Sequence, residues 1–121
     1  MIEIFKVTND LTNAIKQVIP DVFPMLAPQG TGLPFVTYTH TGIQSQGTKD
    51  SEYELTITYT INIITKTYID GLQYLDAVRG ALYRMSSNHY NYTVETVGAT
   101  EEAFDDGYSQ VLTISVEAQR S

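Results

Sequence analysis

The side chains of this 121-residue chain that could carry chemistry are two histidines, fourteen carboxylates and one glycine-rich turn. Histidine is the side chain that exchanges a proton near neutrality, and a working base needs a reacting group within hydrogen-bond reach. His40 stands where a strand is expected to end, and His89 in an expected helix-to-strand turn. The sequence brings no partner to either, so both read as surface or structural residues. Neither a Gly-x-Ser-x-Gly elbow nor a His-Glu-x-x-His pair is present. Gly30-Thr31-Gly32 lacks the later glycine and the strand-to-helix setting of a phosphate loop, and reads as a flexible turn. Glu101, Glu102, Asp105 and Asp106 cluster, but do not reproduce the alternating Ca²⁺ ligands of an EF-hand loop. A solvated acidic turn is the expectation. With no cysteine, disulfides, thiolate zinc sites and thiolate nucleophiles are excluded. The sequence thus predicts no catalytic residue, no cofactor site and no metal site.

The elements follow from hydrophobic period. Thr8 or Asn9 is expected to cap a helix reaching Ile19, with Leu11, Ile15 and Val18 on one face and Pro20 as its stop. Ile4 and Val7 could carry that face backward. Val22 to Leu26 reads as a short edge strand, because Pro24 cannot donate to a ladder. After a Pro/Gly loop, residues 34–42 form a strand rich in β formers, and polar residues 43–51 a loop. Over residues 52–65, Tyr53, Leu55, Ile57, Tyr59, Ile61 and Ile63 alternate with polar residues, which predicts a strand with one buried and one wet face. Thr67-x-x-Asp70 resembles a capping box opening a helix to about Met85, with Leu72, Leu75, Val78, Leu82 and Met85 as its apolar stripe and Gly80 as a point of close approach. Residues 90–99 and 108–118 are the last strands, joined by an acidic connector ending in the turn dipeptide Asp106-Gly107.

The order α-β-β-β-α-β-β, with no βαβ repetition, predicts one α+β domain over residues 1–121. Its sheet is expected to be mostly antiparallel, with four to five strands and two helices packed on one face. A domain of this size has a radius of gyration near ~14 Å, yet a flat strand over 52–65 would run about 47 Å. Either a bulge bends it or a long β-hairpin projects as an arm. Gln44, Ser45, Gln46, Gly47, Thr48, Lys49 and Asp50 at its tip are then an assembly loop, ordered by a neighbour. Tyr38, Tyr90, Tyr92 and Tyr108 suit either an interface or internal packing.

Composition narrows the function classes. At 42% hydrophobic and 17% charged residues, disorder, collagen and coiled coil are excluded as whole-chain descriptions. No apolar run approaches the ~18 residues of a membrane span, and residues 1–20 do not read as a secretory signal, so the sequon Asn91-Tyr92-Thr93 carries no expectation of glycosylation. A net charge of −7 argues against an electrostatic nucleic-acid footprint and against anionic membrane surfaces.

Element order and certain residues together resemble the tail terminator (tail completion, or tail-to-head joining) proteins of long-tailed bacteriophages. The resemblance covers nearly the whole chain as a pattern. It rests on a helix ending at Ile19-Pro20, the short strand Val22-Phe23-Pro24, the run Leu33-Pro34-Phe35-Val36-Thr37-Tyr38, the long alternating strand, the Leu72, Leu75, Val78, Leu82 stripe and a last strand Val111 to Ala118. It implies a non-enzymatic virion protein, assembled in the host cytoplasm. Such a protein forms a generally hexameric ring on the head-proximal end of the tail tube, stops tube growth and meets the head connector. DNA passes through it without specific binding. An acidic channel suits that passage, and Glu52, Glu54, Glu95, Glu101, Glu102, Asp105, Asp106 and Glu117 are the candidate lumen acids. Strand edges and the projecting hairpin offer the means of reaching a neighbour. The alternatives are another neck or tail-tube ring protein of a phage or, in a different class, a small acidic ligand-binding or enzyme subunit of a cellular oligomer.

Overall fold

The computed structural model describes residues 1–48 and 51–120. The alternating segment becomes a strand over Glu54–Thr65, in which every odd-numbered residue from Leu55 to Thr65 is buried and every even-numbered one is half-buried. A period of two can do nothing else when only one face is covered. In chain order the elements are α1 (Ile4–Lys16), β1 (Val22–Pro24), β2 (Phe35–Gln46), β3 (Glu54–Thr65), α2 (Tyr68–Tyr83), β4 (Tyr90–Phe104) and β5 (Gly107–Arg120). This is the expected α-β-β-β-α-β-β order of an α+β fold. The sheet runs β1-β2-β3-β5-β4. Strands β2, β3, β5 and β4 are antiparallel neighbours, whereas β1 joins β2 in parallel through Val22↔Val36 to Pro24↔Tyr38, which makes the sheet mixed.

Both helices lie over the odd-numbered face of β3. Val7, Leu11 and Ile15 of α1 and Val78 and Leu82 of α2 share one core with Ile57, Tyr59, Ile61, Ile63, Leu112, Ile114 and Val116. Each such side chain contributes about 1.5–3 kcal/mol on burial. Polar ties fix the helices on the sheet. Thr8 and Tyr59 share a hydroxyl–hydroxyl bond of 2.8 Å, the Tyr92 hydroxyl donates to the Asp10 carboxylate, and Arg79 Nε donates to Thr96 Oγ1 at 3.2 Å.

Several expectations are corrected. Helix α1 starts at Ile4 behind Glu3, which makes no side-chain cap. Thr8 and Asn9 are interior, and the Thr8 hydroxyl is used against Tyr59 instead. The helix ends at Lys16, and single turns through Val18 and Ile19 follow, because a residue before proline is pushed out of the α region. Thr67 does cap α2, its Oγ1 accepting from the Asp70 N–H at 3.2 Å. The buried stripe of α2 is rotated to Gly71, Val78, Ala81 and Leu82. Leu75 and Met85 pack partly on the core, and Leu72 is only half-buried. Close approach is at Gly71, not Gly80: a Cβ there would sit 3.0 Å from Thr65 Oγ1, whereas at Gly80 it would meet only the flexible Arg84 side chain of the same helix.

Strand β2 runs on through Gln46 and β4 through Phe104, where loops were expected. Their polarity misleads because both side-chain faces are wet there, and the ladder bonds alone hold the strands. Tyr53, expected in the core, lies beyond the last β3–β5 pair, Glu54↔Gln119, and is exposed. The acidic turn is Asp105-Asp106, and Gly107 is the first residue of β5, opposite Phe104. Gly107 is needed because a Cβ would collide with the backbone oxygen of Thr65. No bulge bends β3 itself, which pairs with β5 without a register shift from Glu54 to Thr65; the bulges lie between His40 and Gly42 in β2 and between Thr96 and Gly98 in β4. Strands β5 and β4 accompany the long hairpin as far as Gln119 and Asn91, level with Glu54.

These contacts set an order of sensitivity. Leu82→Ala should cost about 2–5 kcal/mol in chemical denaturation, as a fully buried leucine, while Thr58→Ala on the uncovered face should cost under about 1 kcal/mol. Gly107→Ala should cost more than about 2 kcal/mol, and Gly98→Ala, whose Cβ would meet open space, almost nothing. Equal losses within either pair would contradict the facing assignment.

Candidate functional site

The even-numbered face of β3 has no helix over it. It is continued on both sides by register: the rung Gln44–Thr56–Glu117–Thr93 crosses β2, β3, β5 and β4, and the next is Gly42–Thr58–Ser115–Glu95. Four expected lumen acids meet on this face, namely Glu54, Glu95, Glu102 and Glu117. Neither lysine nor arginine stands on it in any of the four strands. At one end the Gln119 amide bridges two of the carboxylates, its Nε2 donating to Glu54 at 3.4 Å and to Glu117 at 3.0 Å. A shallow trough of about 360 Å³ is lined by Gly42, Thr56, Thr58, Ser115, Glu95 and Val97, residues of all four strands. This one depression, reaching from β2 to β4, hollows the middle of the open face.

The other four acids lie elsewhere. Glu101 is on the helix side, accepting from the Tyr68 hydroxyl and from Gln110 Nε2, each at 3.1 Å. Glu52 Oε1 accepts from the Ile2 N–H at 2.8 Å, tying the end of the β2–β3 connection to the N-terminal segment. Asp105 and Asp106 form the exposed turn at the opposite end of the sheet. Of the expected assembly loop, Gln44, Ser45 and Gln46 belong to β2, Gly47 and Thr48 follow it, and Lys49 and Asp50 lie outside the described residues. Gly47 has φ +113°, a conformation that favours glycine, and Thr48 and Ser51 share a hydroxyl bond of 2.6 Å across the turn.

His40 and His89 are both exposed. They belong to β2 and to the entry of β4, so at least three strand spacings, about 14 Å, separate them. Among the described residues, no group of three or more His, Cys, Asp or Glu side chains could hold a metal ion. The tyrosines divide. Tyr90 is buried, its oxygen accepting from the Glu3 N–H at 3.0 Å, and Tyr92 is tied to Asp10, so both serve internal packing. Tyr108 packs edge-on to Tyr68 with 5.8 Å between ring centres. Burial pushes the Tyr59 hydroxyl up to about 12, and burial together with the Asp10 carboxylate raises that of Tyr92.

Two features escaped the sequence. The hollow arises from twist and from the two bulges, and no residue pattern announces it. An apolar groove of about 560 Å³ closes the turn end of the open face, where Met25, Leu26, Leu33, Phe35, Ile64 and Phe104 converge. Met25 holds φ +62° at its rim. The only hint was an apolar residue on either side of the Pro/Gly loop.

No family model and no curated protein matches this chain. Solved structures do share its fold. One is a chain of the virion of a native gene transfer agent particle, with TM-score 0.59 and 13% identity over 93% of this chain and 91% of that one. Another is the gp17 protein of bacteriophage SPP1, with TM-score 0.51 and 17% identity over 96% of this chain and 87% of that one.

The two raised tyrosines predict an alkaline limit to stability. Both hold their proton more firmly in the folded than in the unfolded chain. Their contribution is therefore complete below the ordinary tyrosine value of 10.0 and is lost as pH rises from there toward the folded values. Thermal melts should show the wild-type Tm falling more steeply above about pH 10 than that of a Tyr59→Phe, Tyr92→Phe double variant. Parallel curves would contradict the assignment.

Proposed function

We propose that this chain is a non-enzymatic structural protein of a phage-type virion, acting at the neck as a ring, most simply of six copies. In this reading the ring caps the head-proximal end of the tail tube, ends its polymerisation and presents a surface to the head connector. The observation that carries the reading is the open sheet face: hollowed, free of lysine and arginine, and edged by four carboxylates, with both helices behind it. Fold likeness to a virion protein and to a phage protein supports the setting.

A conduit for DNA must pass phosphates without holding them. Each basic side chain that meets a phosphate releases counterions and adds affinity. A face with neither lysine nor arginine offers no such contact, and six copies at −7 each repel the backbone at long range. A hollowed face turned inward also leaves both helices on the outside of the ring. The open face is then the channel wall, and Gln44 to Thr48 lie at the rim, placed to reach a neighbour or the tube.

Charge reversal tests this. Glu95→Lys and Glu117→Lys should change stability by no more than about 0.5 kcal/mol, as exposed substitutions, and should leave assembly intact. Rings carrying both should retain DNA at low salt and release it at physiological salt. Glu52→Lys, off that face, should not confer retention. If the Glu95 and Glu117 reversals leave retention unchanged, the open face is not the channel wall. DNA binding by the unaltered ring would contradict the conduit itself.

A further inference from the structure

A channel wall for DNA gains nothing from exposed hydrocarbon, yet one end of the open face carries the apolar groove of about 560 Å³. Phe35 and Ile64, partners across β2 and β3, line its sheet side. Beside them the side chains of Asn62 and Thr37 satisfy each other through a bond of 3.3 Å. Leu33, Phe104, Met25 and Leu26 line the rest. Met25 and Leu26 are 71% and 83% exposed, and the backbone holds them there. The Leu26 N–H donates to the Pro24 carbonyl at 2.7 Å, closing a three-residue turn around Met25 at φ +62°, a left-handed conformation that a long side chain rarely adopts. The turn is also pinned to the sheet, the Met25 N–H donating to the Tyr38 carbonyl at 2.9 Å. Strain of this kind persists where its surroundings over-determine it, and it clusters at ligand clamps. Contiguous exposed apolar surface on a globular domain marks a binding site.

We infer that this groove docks a short peptide segment of a separate virion protein, in which large apolar side chains stand next to lysine or arginine. Size allows it, since clefts that hold a ligand run to ~300–1,000 Å³. Charge chooses the flank. Asp106 is the one charged residue lining the groove, Asp105 stands beside it in the turn, and neither has an ion-pair partner among the described residues. A cation next to the apolar anchors therefore meets a carboxylate that is free to take it. Position chooses the source. The groove lies at the end of the sheet away from the β2–β3 connection, so every copy in a ring presents it at the same mouth of the channel. A second copy fits less well. The exposed side chains Met1 and Phe5 lie at the far end, where the Ile2 N–H is bound to Glu52, and Lys6 is already paired with Glu3 at 2.9 Å. Filling the groove with them would stack copies into an open column.

The identity of the partner as a virion protein rests on the ring reading, and the groove gives that ring a polarity. One rim carries Gln44 to Thr48, polar and uncharged, and the other carries hydrocarbon beside two carboxylates. Unlike rims suit a ring with unlike neighbours on its two sides. Covering the grooves also takes hydrocarbon out of the path of DNA. A single short segment binds weakly, but grooves repeated around one mouth engage several segments of a partner together, and linked contacts of this kind gain roughly 10²–10⁴ in avidity. The partner therefore holds to a closed ring far better than to a free copy.

An array of random heptapeptides, probed with the labelled full chain at a concentration where it is monomeric, tests the site without the ring. Peptides that combine two or more of Leu, Ile, Met and Phe with Lys or Arg should be enriched over equally apolar ones carrying Asp or Glu. Affinity for the selected peptides should fall at least about tenfold in Leu26→Ser, which removes an exposed anchor, and about two- to fivefold in Asp106→Asn. Met25→Gly relieves the left-handed turn, so it should melt no lower than the unaltered chain and still bind less tightly, which separates the groove from stability. Enrichment indifferent to the flanking charge overturns the basic partner. No enrichment, or enrichment that Leu26→Ser and Met25→Gly leave unchanged, overturns the docking and leaves the ring standing. Columns that lengthen with concentration and vanish in Leu26→Ser overturn the separate partner in favour of a second copy. A chain that selects these peptides but never closes into rings keeps the groove as a docking site and overturns its place at a channel mouth.

Discussion

The one-sided burial of β3 is the constraint on which everything else depends. Leu55, Ile57, Tyr59, Ile61 and Ile63 all point to one face of a central strand, and both helices must cover that face. A shift of one residue would exchange the core for threonines. Because β3 is hydrogen-bonded along its length to β2 and β5, the same parity is imposed on its neighbours, and the uncovered side is polar except at its turn end, where Phe35 and Ile64 join the apolar groove. The wet face is therefore a consequence of the core and not a separate design.

That consequence is what function can use. The bulges at Thr41 and Val97 bend β2 and β4, the two strands that flank the hollow of the open face. The result is a hollowed wall with carboxylates and hydroxyls but no bases. Catalysis asks for convergence of reactive groups in a dry pocket. Here the two histidines stand far apart across the sheet and the acids are spread over solvent. The conduit proposed here makes the opposite demand, to meet phosphates without holding them, and an open face without lysine or arginine suits it.

Legibility followed the hydrophobic effect. Where one face was dry, as in β3, β5 and α1, alternation or helical period gave element, facing and core. Where both faces were wet, at 43–46 and 100–104, polar residues read as loop, although backbone pairing continued the strands. Tyr53 failed for a related reason: the period was right, but the sheet stops at Glu54. Gly80 and Gly107 were misread because close approach is a property of tertiary geometry. Gly71 against Thr65 and Gly107 against the Thr65 carbonyl needed the structure. Among the candidate lumen acids, register sorted what sequence could only collect: Glu54, Glu95, Glu102 and Glu117 on one face, and Glu52, Glu101, Asp105 and Asp106 off it. The family resemblance anticipated the fold that the virion and phage proteins share, though identities of 13% and 17% place that likeness in architecture, not in residues.

The central claim is orientational: copies of this chain close into a ring with the open sheet face inward. Electron cryomicroscopy of the concentrated protein, alone and with tail tubes added, tests it most directly. The account predicts a single closed ring, seated at one end of the tube, with Thr58, Ser115 and Glu117 on the channel wall and α1 and α2 on the outside. A ring with the helices facing the channel, or open stacks in place of a single ring, would contradict it.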